Sequence, residues 1–120
     1  MGYYARTMET NFRIEADKIG EANAALAEFE RLFPEEHSDH FYNEVSNVEE
    51  ALLELGFDVD WEDGVLVMNC FDAKWRTQER VLNIWKDVVA ADTYINFIGE
   101  DGEMWRWEPS GIKNAVISWV

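Results

Sequence analysis

Apolar positions along the chain change period several times, and each change marks an element. Residues 4–14 read as a first strand, with Ala5, Thr7, Glu9 and Asn11 on one side and Met8, Phe12 and Ile14 on the other. Ile19, Ala22, Leu26, Phe29 and Phe33 then recur every three or four positions, which predicts a helix over 17–33. Pro34 ends it, because the residue before a proline is pushed out of the helical region. Residues 35–45 keep no period and read as a loop with one or two aromatic anchors. Ser46 and Glu49 have the spacing of a capping box, and Val48, Ala51, Leu52 and Leu55 form one apolar stripe stopped by Gly56.

From Phe57 the period shortens to two. Phe57, Val59 and Trp61 alternate with Asp58 and Asp60, the turn Glu62-Asp-Gly64 follows, and 65–71 is an apolar run, so the segment predicts a β-hairpin. Its second strand is apolar on both sides, as a central strand is. Thr77 then caps a helix carrying Val81, Ile84, Trp85, Val88 and Val89 on one face. Three strands follow at 93–98, 104–108 and 115–120, separated by the turns Gly99-Glu-Asp-Gly102 and Pro109-Ser-Gly111.

Helices interleaved with groups of strands suit an antiparallel sheet with helices packed on one face. The expectation is a single α+β domain over 1–120, with a ferredoxin-like (split βαβ) strand order and an extra C-terminal hairpin. Leu52, Leu55, Val67, Trp85 and Val88 are expected in its core.

Composition changes this picture in one respect. A formal charge of -15 invites the thought of disorder, but 48% hydrophobic content with six Trp, seven Phe and four Tyr is enough for a real core. The charge is segregated: the interval 32–73 holds twelve of the 25 acidic residues and none of the 10 basic ones. Soluble proteins intersperse their signs, because a single-sign field repels itself. The plain reading is a solvated face. The functional reading is a surface for a basic partner, centred on Glu49, Glu50, Glu54, Asp58, Asp60, Glu62 and Asp63. Asp58, Asp60 and Glu62 fall on one side of a strand about 6.7 Å apart, a file of charges that stands in for phosphates. The same charge argues against direct nucleic-acid binding, and no apolar run is long enough for a membrane span or a secretory leader, so the expected compartment is cytoplasmic.

Other candidate chemistry is thin. Asp58-Val-Asp-Trp-Glu-Asp-Gly64 has the alternation of a calcium loop, but its glycine comes one residue late and Asn69 stands where a bidentate glutamate is needed. His37 and His40, with Glu36 and Asp39, have a zinc-like spacing but no third nitrogen or sulfur ligand. Ser38 beside His37 is adjacency and not a triad, and no glycine-rich phosphate loop exists. Cys70, the one cysteine, reads as a buried, inert thiol. Trp105 and Trp107 flank Arg106 on a strand and read as core. No metal, cofactor or catalytic residue is expected.

Three stretches carry a resemblance: the opening Met1-Gly-Tyr-Tyr4, Phe71-Asp-Ala-Lys-Trp75 before a helix, and Tyr94-Ile-Asn-Phe-Ile-Gly-Glu-Asp-Gly-Glu-Met-Trp-Arg-Trp107. They resemble a loose group of small acidic bacteriophage and prophage proteins. The resemblance implies a setting inside a bacterial host cell, where such proteins include anti-restriction and anti-CRISPR inhibitors. It brings no site residues. The leading expectation is therefore an inhibitor that binds a basic nucleic-acid-handling host protein through a DNA-mimic-like surface. A phage structural or housekeeping module, or a small-ligand or metal-binding domain, is the alternative.

Overall fold

A computed structural model describes residues 2–114. Seven strands form one antiparallel sheet: β1 (Tyr4–Asn11), β2 (Arg13–Ile14), β3 (Phe57–Glu62), β4 (Val65–Lys74), β5 (Tyr94–Gly99), β6 (Met104–Glu108) and β7 (Gly111–Asn114). The helices are α1 (Ile19–Leu32), α2 (His37–His40), α3 (Val48–Leu55) and α4 (Gln78–Leu82). The class is α+β, as the period changes imply. β4 lies between β3 on one edge and β1 followed by β2 on the other, and β5, β6 and β7 continue beyond β1. None of the described helices is long and apolar enough to cross a membrane.

The first strand is not a plain alternation. Its register shifts between Thr7 and Glu9, which turns Ala5 inward along with Phe12 and Ile14 and leaves Met8 exposed. A bulge re-phases every later side chain, so a strict period of two fails across it. Where β1 and β4 separate, side chains replace the ladder: the Phe71 N–H donates to Thr7 Oγ1 at 3.0 Å, and Thr10 Oγ1 donates to the Met68 carbonyl at 2.8 Å. A second irregularity lies in β4, where Asp58 pairs with Cys70 but Val59 pairs with Met68. Asn69 is the extra residue. It turns Cys70 outward, so the thiol expected in the core is exposed, and Val67 is only partly buried.

Between β3 and β4 the chain reverses through Asp63 and Gly64 alone, at φ 53° and 82°. Two consecutive positive φ values make the hairpin turn that matches strand twist, and the Asp-Gly pair favours it. The calcium-like alternation is thus the register of an edge strand running into this turn.

The core fills the space between one face of the sheet and the helices. Phe57, Phe71, Phe97, Trp75 and Trp105 form a run of ring contacts with centroid separations of 4.8–6.4 Å. Leu52, Leu55, Trp85, Trp105 and Trp107 are buried as expected, whereas Val88 is half-buried. Its helix is shorter than the periodicity indicates. α4 stops at Leu82, a 3-10 turn covers Asn83–Trp85, and Thr77 makes no capping bond. Two tertiary bonds fix this segment: the Trp85 indole donates to the Ala22 carbonyl at 3.1 Å, and the Trp107 indole donates to Asn83 Oδ1 at 2.9 Å. Buried Gln78 closes its start, donating to the carbonyls of Leu55 and Lys74 and accepting from the Arg76 N–H.

Two further local readings change. The 35–45 segment is helical in part, with a 3-10 turn at Pro34–Glu36 running into α2 and with His40 and Phe41 buried. The cap of α3 is Asn47, whose side chain accepts from the Glu50 N–H at 2.9 Å, while Glu50 Oε1 accepts from the Ser46 N–H at 2.7 Å. That is the reciprocal logic of a capping box moved one residue along from Ser46 and Glu49. The third strand of the C-terminal meander begins at Gly111, directly after the turn. The strand expected over 115–120 lies outside the described residues.

Candidate functional site

The acidic residues singled out in the sequence separate into three groups. Asp58, Asp60 and Glu62 alternate with buried Phe57 and Val59 on β3, so they stand exposed on the face of the sheet turned away from α3. β3 is an edge strand, paired only with β4 among the described strands. Asp63 follows in the exposed turn. Asp58 and Asp60 both accept from the Asn69 amide, at 3.0 and 2.8 Å, so the bulge residue of β4 fixes the first two carboxylates of the file.

Glu49, Glu50 and Glu54 belong instead to the helical layer. Glu50 is occupied in capping α3, and Glu54 holds the preceding loop by accepting from the Tyr42 N–H at 3.2 Å and from the Asn43 amide at 2.8 Å. Glu49 is half-buried. The seven carboxylates therefore wrap around the β3 edge from one layer to the other and do not lie in a single plane. Adjacency in sequence through Gly56 does not reveal this, because the residue after the helix turns the chain into the sheet.

What the acids share is a lack of cations. Of the twelve acidic residues in 32–73, only Glu36 is in an ion pair among the described residues. Elsewhere pairing is common: Arg13 with Glu15 and Asp92, Arg31 with Glu28, Lys18 with Glu21, and Lys113 and Arg106 with Glu108. Uncompensated carboxylates at close spacing generate a field that extends about a Debye length, ~8 Å at physiological salt.

Glu36 is the exception and belongs to a different constellation. Its Oε1 and Oε2 accept from the Arg80 guanidinium at 3.1 and 3.0 Å, and Oε1 also meets His40 Nε2 at 3.0 Å. Arg80 lies over the rings of Phe29 and Phe33, 5.1 and 4.9 Å from their centroids. The bidentate arginine, followed by the histidine, pulls the Glu36 carboxyl down to about 2. His40 is 2% exposed, and its Nδ1 has no partner among the described residues. Glu36 and His40 are four positions apart on successive helical turns, a spacing that signals such a pair once the segment is known to be helical.

The cluster ties α1, α2 and α4 together, and it makes a pH dependence. The Glu36 carboxyl is lowered on folding, so its contribution is full above its unfolded value near 4.5 and is lost as pH falls through that value toward 2. Glu36→Gln should remove that part. The stability difference between wild type and Glu36→Gln, measured by urea unfolding, should be constant above about pH 5 and shrink steadily below it. A difference independent of pH down to 2 contradicts the assignment.

The histidines carry no other visible chemistry. His37 pairs with Glu30 at 2.8 Å, and neither histidine bonds a hydroxyl or thiol among the described residues. No group of three or more His, Cys, Asp or Glu is arranged to hold a metal ion among the described residues. No family model matches the chain, and no curated protein and no solved structure matches it.

Proposed function

We propose that the protein is a non-enzymatic inhibitor of bacteriophage or mobile-element origin that binds a basic, nucleic-acid-handling host protein, such as a CRISPR effector, inside the host cell. The observation that supports this reading is the file Asp58, Asp60 and Glu62 on the edge strand β3, continued by Asp63 in the turn: all four are exposed, none is in an ion pair among the described residues, and the spacing along the strand is set by the pleat. A groove built of Lys and Arg to meet phosphates gains the same attraction from such carboxylates. Glu49, Glu50 and Glu54 add to the field from the helical side of the edge.

The reading is tested by immobilising the protein, passing bacterial lysate over it, and identifying what salt elutes. The expected catch is a basic nucleic-acid-binding protein that duplex DNA displaces from the column, because both ligands use one groove. The protein itself should not bind a labelled oligonucleotide at about 150 mM salt, near physiological ionic strength. Direct oligonucleotide binding, or a captured protein that DNA leaves in place, counts against mimicry.

A further inference from the structure

At the end of the sheet away from the Asp63 turn, Tyr3, Trp75, Trp105 and Ile112 line a cavity of about 230 Å³ whose rim carries Glu79 and Glu103. Trp75 and Trp105 meet edge to face at 5.1 Å, and Tyr3 and Trp105 lie 6.4 Å apart at 36°. The three rings belong to separate parts of the chain: the segment before β1, the loop after β4, and β6.

The walls are held in place. The Trp75 N–H donates to the Tyr3 carbonyl at 2.7 Å, and the Tyr3 hydroxyl donates to Asp101 Oδ1. Room for that hydroxyl depends on Gly99, where a Cβ would stand 1.6 Å from it. Asp101 in turn accepts from the Glu103 N–H at 3.0 Å, which fixes the turn that presents Glu103. The field here is negative. Tyr3 is pushed up to about 12, first by its hydrogen bond to Asp101, then by partial desolvation and by the charges of Asp101, Glu103 and Glu100. Glu79 and Glu103 are both exposed, and neither is in an ion pair among the described residues.

Aromatic walls with unpaired carboxylates at the rim form a receptor for an organic cation. The ring quadrupoles attract positive charge, the carboxylates supply direct acceptors, and the apolar floor takes a methylene stem. An anion is repelled, and a neutral apolar group gains nothing from the two carboxylates. We propose that this cavity receives the cationic side chain, arginine or lysine, of a partner protein, as an anchor separate from the acidic file on β3. The proposal deepens the inhibitor reading by giving the basic partner a point of attachment, but the site can be tested without that partner.

The probes are the blocked amino acids N-acetyl-arginine methylamide and its lysine and citrulline counterparts, titrated at matched ionic strength. The readout is the set of tryptophan indole N–H resonances in the ¹H–¹⁵N spectrum. At least one cationic probe should shift the Trp75 and Trp105 signals saturably, with Kd of roughly millimolar order as expected for one side chain. Citrulline, which keeps the shape and loses the charge, should not. Trp61, 44% exposed on β3 beside the acidic file, is the internal control for general cation attraction and should stay in place. Glu79→Gln with Glu103→Gln, both at exposed positions, should weaken binding at least about fivefold without disturbing the fold. Three outcomes overturn the proposal: no saturable shift with either cation, an equal response to citrulline, or unchanged binding in the double variant. Each would leave the inhibitor reading standing, since that reading rests on β3.

Discussion

Replacing Trp85 with alanine should lower the free energy of unfolding by about 3–5 kcal/mol, a large share of the roughly 5–15 kcal/mol that holds a domain of this size. Trp85 is fully buried in a 3-10 turn, and its alanine variant keeps the backbone bonds of that turn and loses only the side chain's contacts. Its loss leaves a large cavity between α1 and the sheet. It also removes the indole bond to the Ala22 carbonyl, which keeps its place in the α1 ladder, so this part is the net worth of one hydrogen bond, about 1 kcal/mol. Trp85→Phe separates the two effects, because the ring remains and the donor goes. Urea unfolding followed by circular dichroism reads both variants, and the alanine form should unfold at a clearly lower urea concentration than wild type. A loss below about 1 kcal/mol would show that the 83–85 turn does not anchor the helical layer.

Elements with one strong local signal were legible in the sequence. α1, α3 and the β3–β4 hairpin each have a clean period with a stop or turn beside it, and the structure has them within a residue or two, except that β4 runs three residues past the expected end at 71, to Lys74. The inward pair Trp105 and Trp107 also follows from alternation alone. The failures share a physical cause, which is that a long-range contact overrides the local pattern. α4 is cut short because Asn83 and Trp85 bond to β6 and α1, partners 24 and 63 residues away in sequence. Ala5, Met8 and Cys70 change sides because bulges in β1 and β4 shift the phase, and neither bulge has a glycine to announce it. The 35–45 segment lacks an apolar stripe because its helical turns are secured by the Glu36, Arg80 and His40 cluster and by one buried anchor, Phe41, which alone gives no period.

The candidate site was legible to the same extent. Alternation placed Asp58, Asp60 and Glu62 together, and on β3 they are together. The helical acids were grouped with them by nearness in sequence, yet Glu50 and Glu54 spend their oxygens on backbone and amide donors of the same chain. The cavity at Tyr3, Trp75 and Trp105 left no sequence signal, since its walls come from positions 3, 75 and 105 and meet only through the sheet.

Charge reversal on β3 gives the second large effect and the most direct test of the acidic surface. Asp58→Lys, Asp60→Lys and Glu62→Lys together remove the exposed file and change the formal net charge from -15 to -9. Lysine suits an edge strand, so the variant should stay folded. The control makes the same charge change elsewhere. Glu15, Glu21 and Glu28 are unsuitable for it, because each is paired with a basic neighbour whose partner would be lost. Asp17, Glu35 and Asp87 are exposed, in no ion pair among the described residues, and outside α3 and β3. The decisive measurement is the association rate with the captured partner, for wild type and both variants, at about 50 and 300 mM salt, where the Debye length falls from roughly 14 to 6 Å. Steered association gains about 10 to 10³ in rate and loses that gain as salt rises. The β3 variant should associate at least about tenfold more slowly than the control at low salt, with the gap closing at high salt. If the β3 and control variants associate at equal rates at low salt, the file on β3 is a solvated edge and the binding surface lies elsewhere.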